Sequence, residues 1–591
     1  MSSTVQRTLR RNTVGRAFRQ LSFRSDWGRL GWSAFAAMLI VGGALLMYET
    51  RGRTLVFDEW LWVVGRRGGG IASLLHPYNG HLSLVPIALY KLLFATAGID
   101  NYVPYRLLMT VGHLVCVLLV YIYAKRRVGE LLALACSAVI LFFGPAWEDI
   151  LWPFQIAWTG AIAAGVAALL MLDRRDRRGD IAACILTAIA LASTSVGIAV
   201  ALGLTVEIAL HRRRLRDAWI VCIPLALYVL WSLLYEHAQV HGDAFGAVGF
   251  VTDSAATSLS ALFGVSGIST GSPTTTALAW GAPLATGAIA AMIWVIHRRG
   301  GVSPRAVALL VIPVTFWLLT AIGRSELGGR ATSATSRYLY VGAIFVLLLA
   351  VELVRDAPIR WSTQGLLILV AAASSISNLG ILRDAAGYLR RVSGDTRAAL
   401  AALNLSQAFV TPTQLAAGLP GYPLVAIPAK QLLRAQRELG SPAYAPAQLS
   451  DASEDARDVV DSQTIGIRGL GLSSAAGAAV NQVAPSPFVD VATAGSVSTS
   501  RAGCITFAAS VAGAGQVNQV QLRVHPPGVW LSAQAAQVSV GLRRFAGIFQ
   551  PVGALSASGS AVLRIPADTV ALPWHLQAAT AGKVTVCPLA R

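Results

Sequence analysis

Four groups of residues in this 591-residue chain combine side chains that can move protons or hold anions. The first is Phe57-Asp58-Glu59-Trp60, an adjacent acid pair set between aromatic residues. Acids held among aromatics at a membrane face suit work as a general base. The second is His76-Pro77-Tyr78-Asn79-Gly80-His81, followed by an apolar stretch that contains Lys91. Its two histidines can bind a metal or line a polar pocket; no third ligand stands at a recognisable spacing, which favours the pocket. The third is Trp147-Glu148-Asp149, a second acid pair wrapped in tryptophan, with Trp152 beyond it. The fourth gathers Arg324, Glu326, Arg330, Arg337, Tyr338 and Tyr340, and a guanidinium fork matches a phosphate. His237 and His241, near Glu236 and Asp243, share a helical face but lack a fixed third ligand.

The elements that carry these groups follow from composition. Only 13% of residues are charged and 55% are hydrophobic, with a mean hydropathy of +0.59. A soluble chain carries about 25% charged residues. Apolar runs of near-membrane length recur from Gly31 to Leu382, which excludes a soluble multidomain protein, a disordered chain, collagen and a coiled coil. The net charge of +19 does not indicate nucleic acid, because no basic stretch is interleaved with stacking aromatics. Its basic clusters, Lys125-Arg126-Arg127, Arg174 to Arg178, His211 to Arg216 and His297-Arg298-Arg299, sit between apolar runs, where the positive-inside rule places cytoplasmic loops.

About eleven transmembrane helices are expected: Gly31–Tyr48, Tyr105–Ala124, Glu130–Phe143, Ile156–Leu172, Ile181–Ser193, Val196–Leu210, Ala218–Tyr235, Ala277–Ile296, Ala306–Ile322, Tyr338–Val354 and Gly365–Leu382. The first reads as an uncleaved helix after a basic cytoplasmic segment, residues 1–30. The apolar segment His81–Ala97 decides the parity. If it crosses, the later basic loops fall outside; if it lies along the surface, every basic cluster falls inside. Residues 49–104 are therefore expected to form one external loop with amphipathic helices. All four candidate groups then share the external face.

Residues 383–591 read as an extracytoplasmic domain, helical at Arg383–Leu403 and Ala429–Leu439 and then β-rich. Residues 470–500 are rich in Ala, Ser and Gly. Alternation follows at Val520-Leu522-Val524, Val538-Val540-Leu542 and Val584-Val586, as in strands. Trp530 and Trp574 are either sugar-stacking or core residues. Cys504 and Cys587 lie in this external part and are expected to pair, whereas Cys116, Cys136, Cys184 and Cys222 lie in apolar spans as small buried hydrophobes.

An acid pair just after the first span, an external His-Pro element with a following apolar helix, a second external acid motif and an external C-terminal domain resemble the GT-C superfamily of integral-membrane glycosyltransferases. Protein O-mannosyltransferases, lipid A aminoarabinose transferases and mycobacterial arabinofuranosyltransferases are similar in plan. The likeness covers residues 31–382 in layout. At motif level it rests on Phe57-Asp58-Glu59-Trp60, His76-Pro77 and Trp147-Glu148-Asp149, with Tyr78 where a second proline is often found. It implies a multi-pass protein of the bacterial plasma membrane that takes a polyprenyl-phosphate sugar as donor and a cell-envelope glycan, lipid or protein as acceptor. It further implies Asp58 as base with Glu59 beside it, and Lys91, Arg324, Arg330, Arg337 and Tyr338 at the donor phosphate. His76, His81, Trp147, Glu148 and Asp149 would face sugar or acceptor. A divalent cation (Mg or Mn) at Asp58, Glu148 or Asp149 is left open. The competing functions are a transporter or flippase of a lipid-linked sugar, and an envelope scaffold with a glycan-binding C-terminal domain.

Overall fold

A computed structural model describes residues 29–211, 216–235, 244–267, 275–324, 333–411, 427–475, 487–493, 495–500, 503–510 and 518–590. The chain divides into two compact units. The first comprises Met1–Gly52, Arg66–Thr96 and Tyr102–Arg390; the second comprises Arg53–Gly65, Ala97–Asn101 and Arg391–Arg591.

The first unit is a bundle of apolar helices. Among the described residues, seven are long and apolar enough to cross a membrane: Arg29–Glu49, Val103–Val128, Pro153–Leu172, Ala279–Arg299, Pro304–Gly323, Ser336–Leu353 and Trp361–Leu405. An eighth is the bent pair Glu130–Leu141 and Gly144–Leu151. The protein is thus a polytopic membrane protein. Three expected spans form the shorter helices Arg177–Leu191, Val196–Leu210 and Trp219–Leu234. At 1.5 Å per residue each measures only about 23 Å, less than the hydrocarbon core of about 30 Å. The long helix Trp361–Leu405 joins the last expected span to the expected helix Arg383–Leu403 without a break.

One long helix of this unit was not anticipated. Ala244–Leu262 buries Ser254, Thr257, Ser258 and Ser260 among its apolar positions, so its hydropathy is too low to read as a span. Small residues let it pack closely. A Cβ on Gly281 would lie 2.3 Å from the Ala256 carbonyl oxygen, so only glycine admits the contact.

Polar contacts define the two ends of the bundle. At one end Arg127 pairs with Glu352 and, at 3.2 Å, with Asp173; Arg305 reaches Asp173 at 3.1 Å and Glu207 at 2.8 Å. The basic loops expected on one side therefore do meet. At the other end Arg383 lies 3.4 Å from Glu49, Arg337 lies 3.1 Å from Glu148, and Val85 N–H donates to the Ala192 carbonyl at 3.0 Å. Arg106 Nε donates to Thr50 Oγ1 at 3.0 Å. The chain leaves the first span and enters Val103–Val128 at this same end; the helix Leu84–Ala97 between them has 14 residues.

The second unit carries two antiparallel sheets. The strands are β1 (Leu472–Ser474), β2 (Phe488–Thr493), β3 (Gly495–Thr499), β4 (Ile505–Ala509), β5 (Gln519–Val524), β6 (Gly528–Gln534), β7 (Val538–Arg543), β8 (Gln550–Leu555), β9 (Ser560–Arg564), β10 (Trp574–Thr580) and β11 (Lys583–Pro588). Their orders are β1-β9-β6-β11-β4-β3 and β2-β5-β10-β7-β8. One core takes Phe507, Leu531, Leu563 and Val586 from the first sheet and Leu522, Val540, Leu542 and Leu576 from the second. These are alternate positions of each strand, as a two-sheet sandwich requires. Trp574 is a core residue of this cluster, not an exposed platform, whereas Trp530 is half-buried. Cys504 and Cys587 form a disulfide beside the β4–β11 ladder.

Beside the sandwich, the helix Glu454–Arg468 starts at Ser453, whose hydroxyl accepts from Ala456 N–H. Asp461 Oδ2 accepts the N–H groups of Arg544, Phe545 and Ala546 at 2.6, 2.9 and 2.9 Å. Asp568 binds Arg468 at 2.6 Å and Arg544 at 2.7 Å.

Candidate functional site

In the first unit the site begins where Glu130–Leu141 ends. Gly144 and Pro145 open a single tight turn, and the chain resumes as the short helix Trp147–Leu151, 44° away in direction. Gly144 is packed so closely that a Cβ would fall 1.9 Å from the Asn378 carbonyl oxygen of the long helix. This approach seats Trp147 edge-on to Tyr388, 5.9 Å between ring centres.

Glu148 then faces the first turn of Ser336–Leu353. Its Oε2 accepts from Arg337 N–H at 3.1 Å and from Arg337 Nε at 3.3 Å, and its Oε1 accepts from Nη2 at 3.1 Å. Glu148 N–H donates in return to Ser336 Oγ at 3.1 Å. The carboxylate thus satisfies a helix N-terminus and a guanidinium fork together, both of which favour negative charge. Asp149 differs from its neighbour. It is fully buried, its main-chain oxygen accepts from Thr159 Oγ1 at 3.1 Å, and neither carboxyl oxygen has a hydrogen-bond partner among the described residues. A buried acid without a donor carries an uncompensated desolvation cost, an arrangement met at sites that receive a ligand.

Deeper in the same unit His113 Nδ1 lies 2.7 Å from Tyr340 Oη, and its Nε2 lies 3.2 Å from the Leu141 carbonyl. Sequence reading passed over His113. Its signal was present: an ionisable residue inside an apolar span is a functional candidate by default. Tyr338 is buried against the rings of Trp158, Phe250 and Phe316. The Arg324 side chain and all of Arg330 lie outside the described residues, as do Glu326, His237 and His241.

Lys91 Nζ donates to the carbonyls of Gly68 and Gly69 at 3.0 and 2.9 Å. Partial burial, then the nearby Arg66, hold it below the usual lysine range. Arg66 fastens the same loop to Ser73 and Pro77, both at 2.9 Å. Tyr78 and His81 exchange main-chain hydrogen bonds around Asn79 (φ 49°) and Gly80 (φ 76°), a turn with both central residues left-handed. The His76 ring packs on Tyr235, 5.8 Å between centres. Among the described residues, no three His, Cys, Asp or Glu side chains converge as a metal site requires.

Asp58 and Glu59 belong to the second unit. Phe57 adopts φ 54°, a left-handed conformation that is unusual for a bulky residue. Asp58 follows, and Glu59 opens the helix Glu59–Arg66. Both acids are buried, as are Trp60 and Trp62. Glu59 Oε2 accepts from Val56 N–H at 2.8 Å, and Trp60 Nε1 donates to the Leu55 carbonyl at 3.1 Å. Glu59 is thereby committed to its own backbone, in the manner of a helix-start cap.

No family model matches the chain, and no curated protein does. Among solved structures, the chain is similar to ArnT from Cupriavidus metallidurans in the apo state. That likeness has 15% sequence identity, covers 72% of this chain and 92% of that one, and has a TM-score of 0.44.

Proposed function

We propose that this chain is an integral-membrane glycosyltransferase of the GT-C kind. It moves a sugar from a polyprenyl-phosphate donor to a cell-envelope acceptor at the external face of the plasma membrane. The observation that carries this reading is the Glu148–Arg337 pair beside the donor-free, buried Asp149, at the end of the bundle away from the basic loops. The positive-inside rule makes that end the external one, where an anionic lipid phosphate and an acceptor hydroxyl would meet. The C-terminal region then lies outside, in keeping with its disulfide.

In the reaction, the acceptor oxygen attacks the anomeric carbon, the bond from that carbon to the phosphate oxygen breaks, and polyprenyl phosphate leaves. The acceptor's proton passes to Asp58, a buried acid set between Phe57 and Trp60. Strain at Phe57 is the kind of cost met at functional positions. Arg337 steadies the departing phosphate, with Arg324, Arg330 and Lys91 as further cations. Glu148 holds the Arg337 fork in place, and Asp149 receives a hydroxyl of the sugar or acceptor. Trp147, His76 and His81 supply the surrounding surface.

The test uses the full chain in vesicles with a radiolabelled polyprenyl-phosphate pentose or hexose and an envelope extract as acceptor. The proposal expects label in the acceptor and release of free polyprenyl phosphate. Movement of intact labelled lipid between leaflets with no phosphate release would make the chain a flippase instead.

A further inference from the structure

The end of the first unit where the basic loops meet holds an open cavity of about 370 Å³. Its frame is a set of ion pairs. Arg127 and Arg305 are buried and bound to Glu352, Asp173 and Glu207. His211 Nδ1 is 3.0 Å from the Glu207 carbonyl. These contacts join the ends of five helices, but they do not neutralise the space between them.

Arg126, Arg175 and Arg355 also line the cavity. Only Asp173 and Glu207 oppose the five lining arginines. Arg355 is half exposed and pairs at the surface with Asp356 at 3.1 Å. The side chains of Arg126 and Arg175 have no hydrogen-bond or ion-pair partner among the described residues. Arg175 also sits at φ 55°, which costs energy in a residue with a Cβ. No contact of its own side chain offsets that cost. Charge bias accounts for arginines on these loops; it does not account for five of them lining one cavity.

We propose that this cavity binds a phosphate-bearing anion, supplied either by the headgroup of an anionic phospholipid or by a soluble phosphomonoester. Guanidiniums suit phosphate by their fork geometry, and basic pockets between helices at this face receive anionic headgroups. The volume equals that of about twelve waters at ~30 Å³ each, at the small end of ligand pockets.

The full-length protein in mild detergent is titrated with phosphatidylglycerol, with phosphatidylcholine and with glycerol 3-phosphate, and binding is followed by native mass spectrometry. Phosphatidylglycerol or glycerol 3-phosphate should bind more tightly than phosphatidylcholine. The double variant Arg126→Gln/Arg175→Gln should weaken that binding by at least about tenfold, the loss of one charge-assisted contact. Preference for the lipid assigns the headgroup, and preference for the soluble compound assigns a free phosphomonoester. The control is Arg174→Gln/Arg178→Gln, which removes the same charge from residues that do not line the cavity and should leave affinity unchanged. Equal weakening in both double variants, wild-type binding in Arg126→Gln/Arg175→Gln, or no preferential binding of either phosphate compound would each overturn the proposal. An unchanged thermal midpoint for the double variants verifies that the fold stands.

Discussion

Replacing Arg337 tests the site's electrostatics and its role together. Two side-chain hydrogen bonds, at 3.3 and 3.1 Å, join Arg337 to Glu148. Both side chains are mostly shielded, at 23% and 11% exposure, so solvent screens the pair less than a surface one. Arg337→Ala leaves Glu148 with the N–H of residue 337 and the Ser336 contact, but beside the buried Asp149 without its cation. Breaking such a partly buried pair should cost about 2–4 kcal/mol. Glu148→Gln should cost less, because its amide oxygen still accepts from the guanidinium. The double variant should lose no more than Arg337→Ala alone, giving a coupling energy of about 1–3 kcal/mol. Denaturant unfolding followed by tryptophan fluorescence supplies the four stabilities. The phosphate role adds a separate expectation: Arg337→Ala weakens binding of the polyprenyl-phosphate sugar by at least about tenfold, whereas Glu148→Gln retains it. Additive stability losses would refute the coupling, and unchanged donor affinity in Arg337→Ala would refute the phosphate role.

Cysteines introduced one at a time beside Asp149 should react with an impermeant reagent added outside intact cells, and those beside Arg126 should not; the reverse pattern would invert the bundle. Replacing Cys504 and Cys587 by serine should cost about 4.5 kcal/mol by the chain-entropy estimate for an 83-residue separation, read as an earlier denaturant midpoint for the sandwich. Burial favours the neutral form of Asp568, but its hydrogen bonds from Arg544 and Arg468 outweigh that and hold its carboxyl at about 2. Since this value lies below the unfolded one, the stabilisation is complete above the ordinary carboxylate range of about 4 and is lost as pH falls towards 2. The thermal midpoint of Asp568→Asn should accordingly change less than that of the wild type between those limits, and parallel curves would count against the ion-pair cluster.

The bundle's alternation was legible because charge parity is a global constraint. Reading Leu84–Ala97 as a surface helix put every basic loop on one side, and Arg127, Asp173, Glu207 and Arg305 do gather at one end of the bundle. The central strands were legible because Leu522, Val540 and their neighbours are buried at every second residue. The edge strands were not: β3 is exposed along its whole length, so no alternation was imposed on Gly495–Thr499. The helix Ala244–Leu262 escaped because, Phe250 apart, its buried face is made of serine, threonine and alanine. At the candidate site the acid motif was visible, but its partner was not. Glu148 and Arg337 lie 189 residues apart, and no local spacing couples them. The capping contact from Val56 N–H to Glu59 was likewise invisible in the sequence, which showed only two adjacent acids.

Asp58→Asn bears most directly on the proposed chemistry. It keeps the size and most of the hydrogen bonding of Asp58 but cannot take a proton. A positioned base typically contributes about 10²–10⁴-fold. Single-turnover transfer from a polyprenyl-phosphate sugar, measured beside donor binding in the same reconstituted preparation, should fall by at least about a hundredfold with donor affinity near wild type. Correctly inserted Asp58→Asn protein that transfers sugar at the wild-type rate would contradict Asp58 as the base, and Asp149→Asn would then be the decisive comparison.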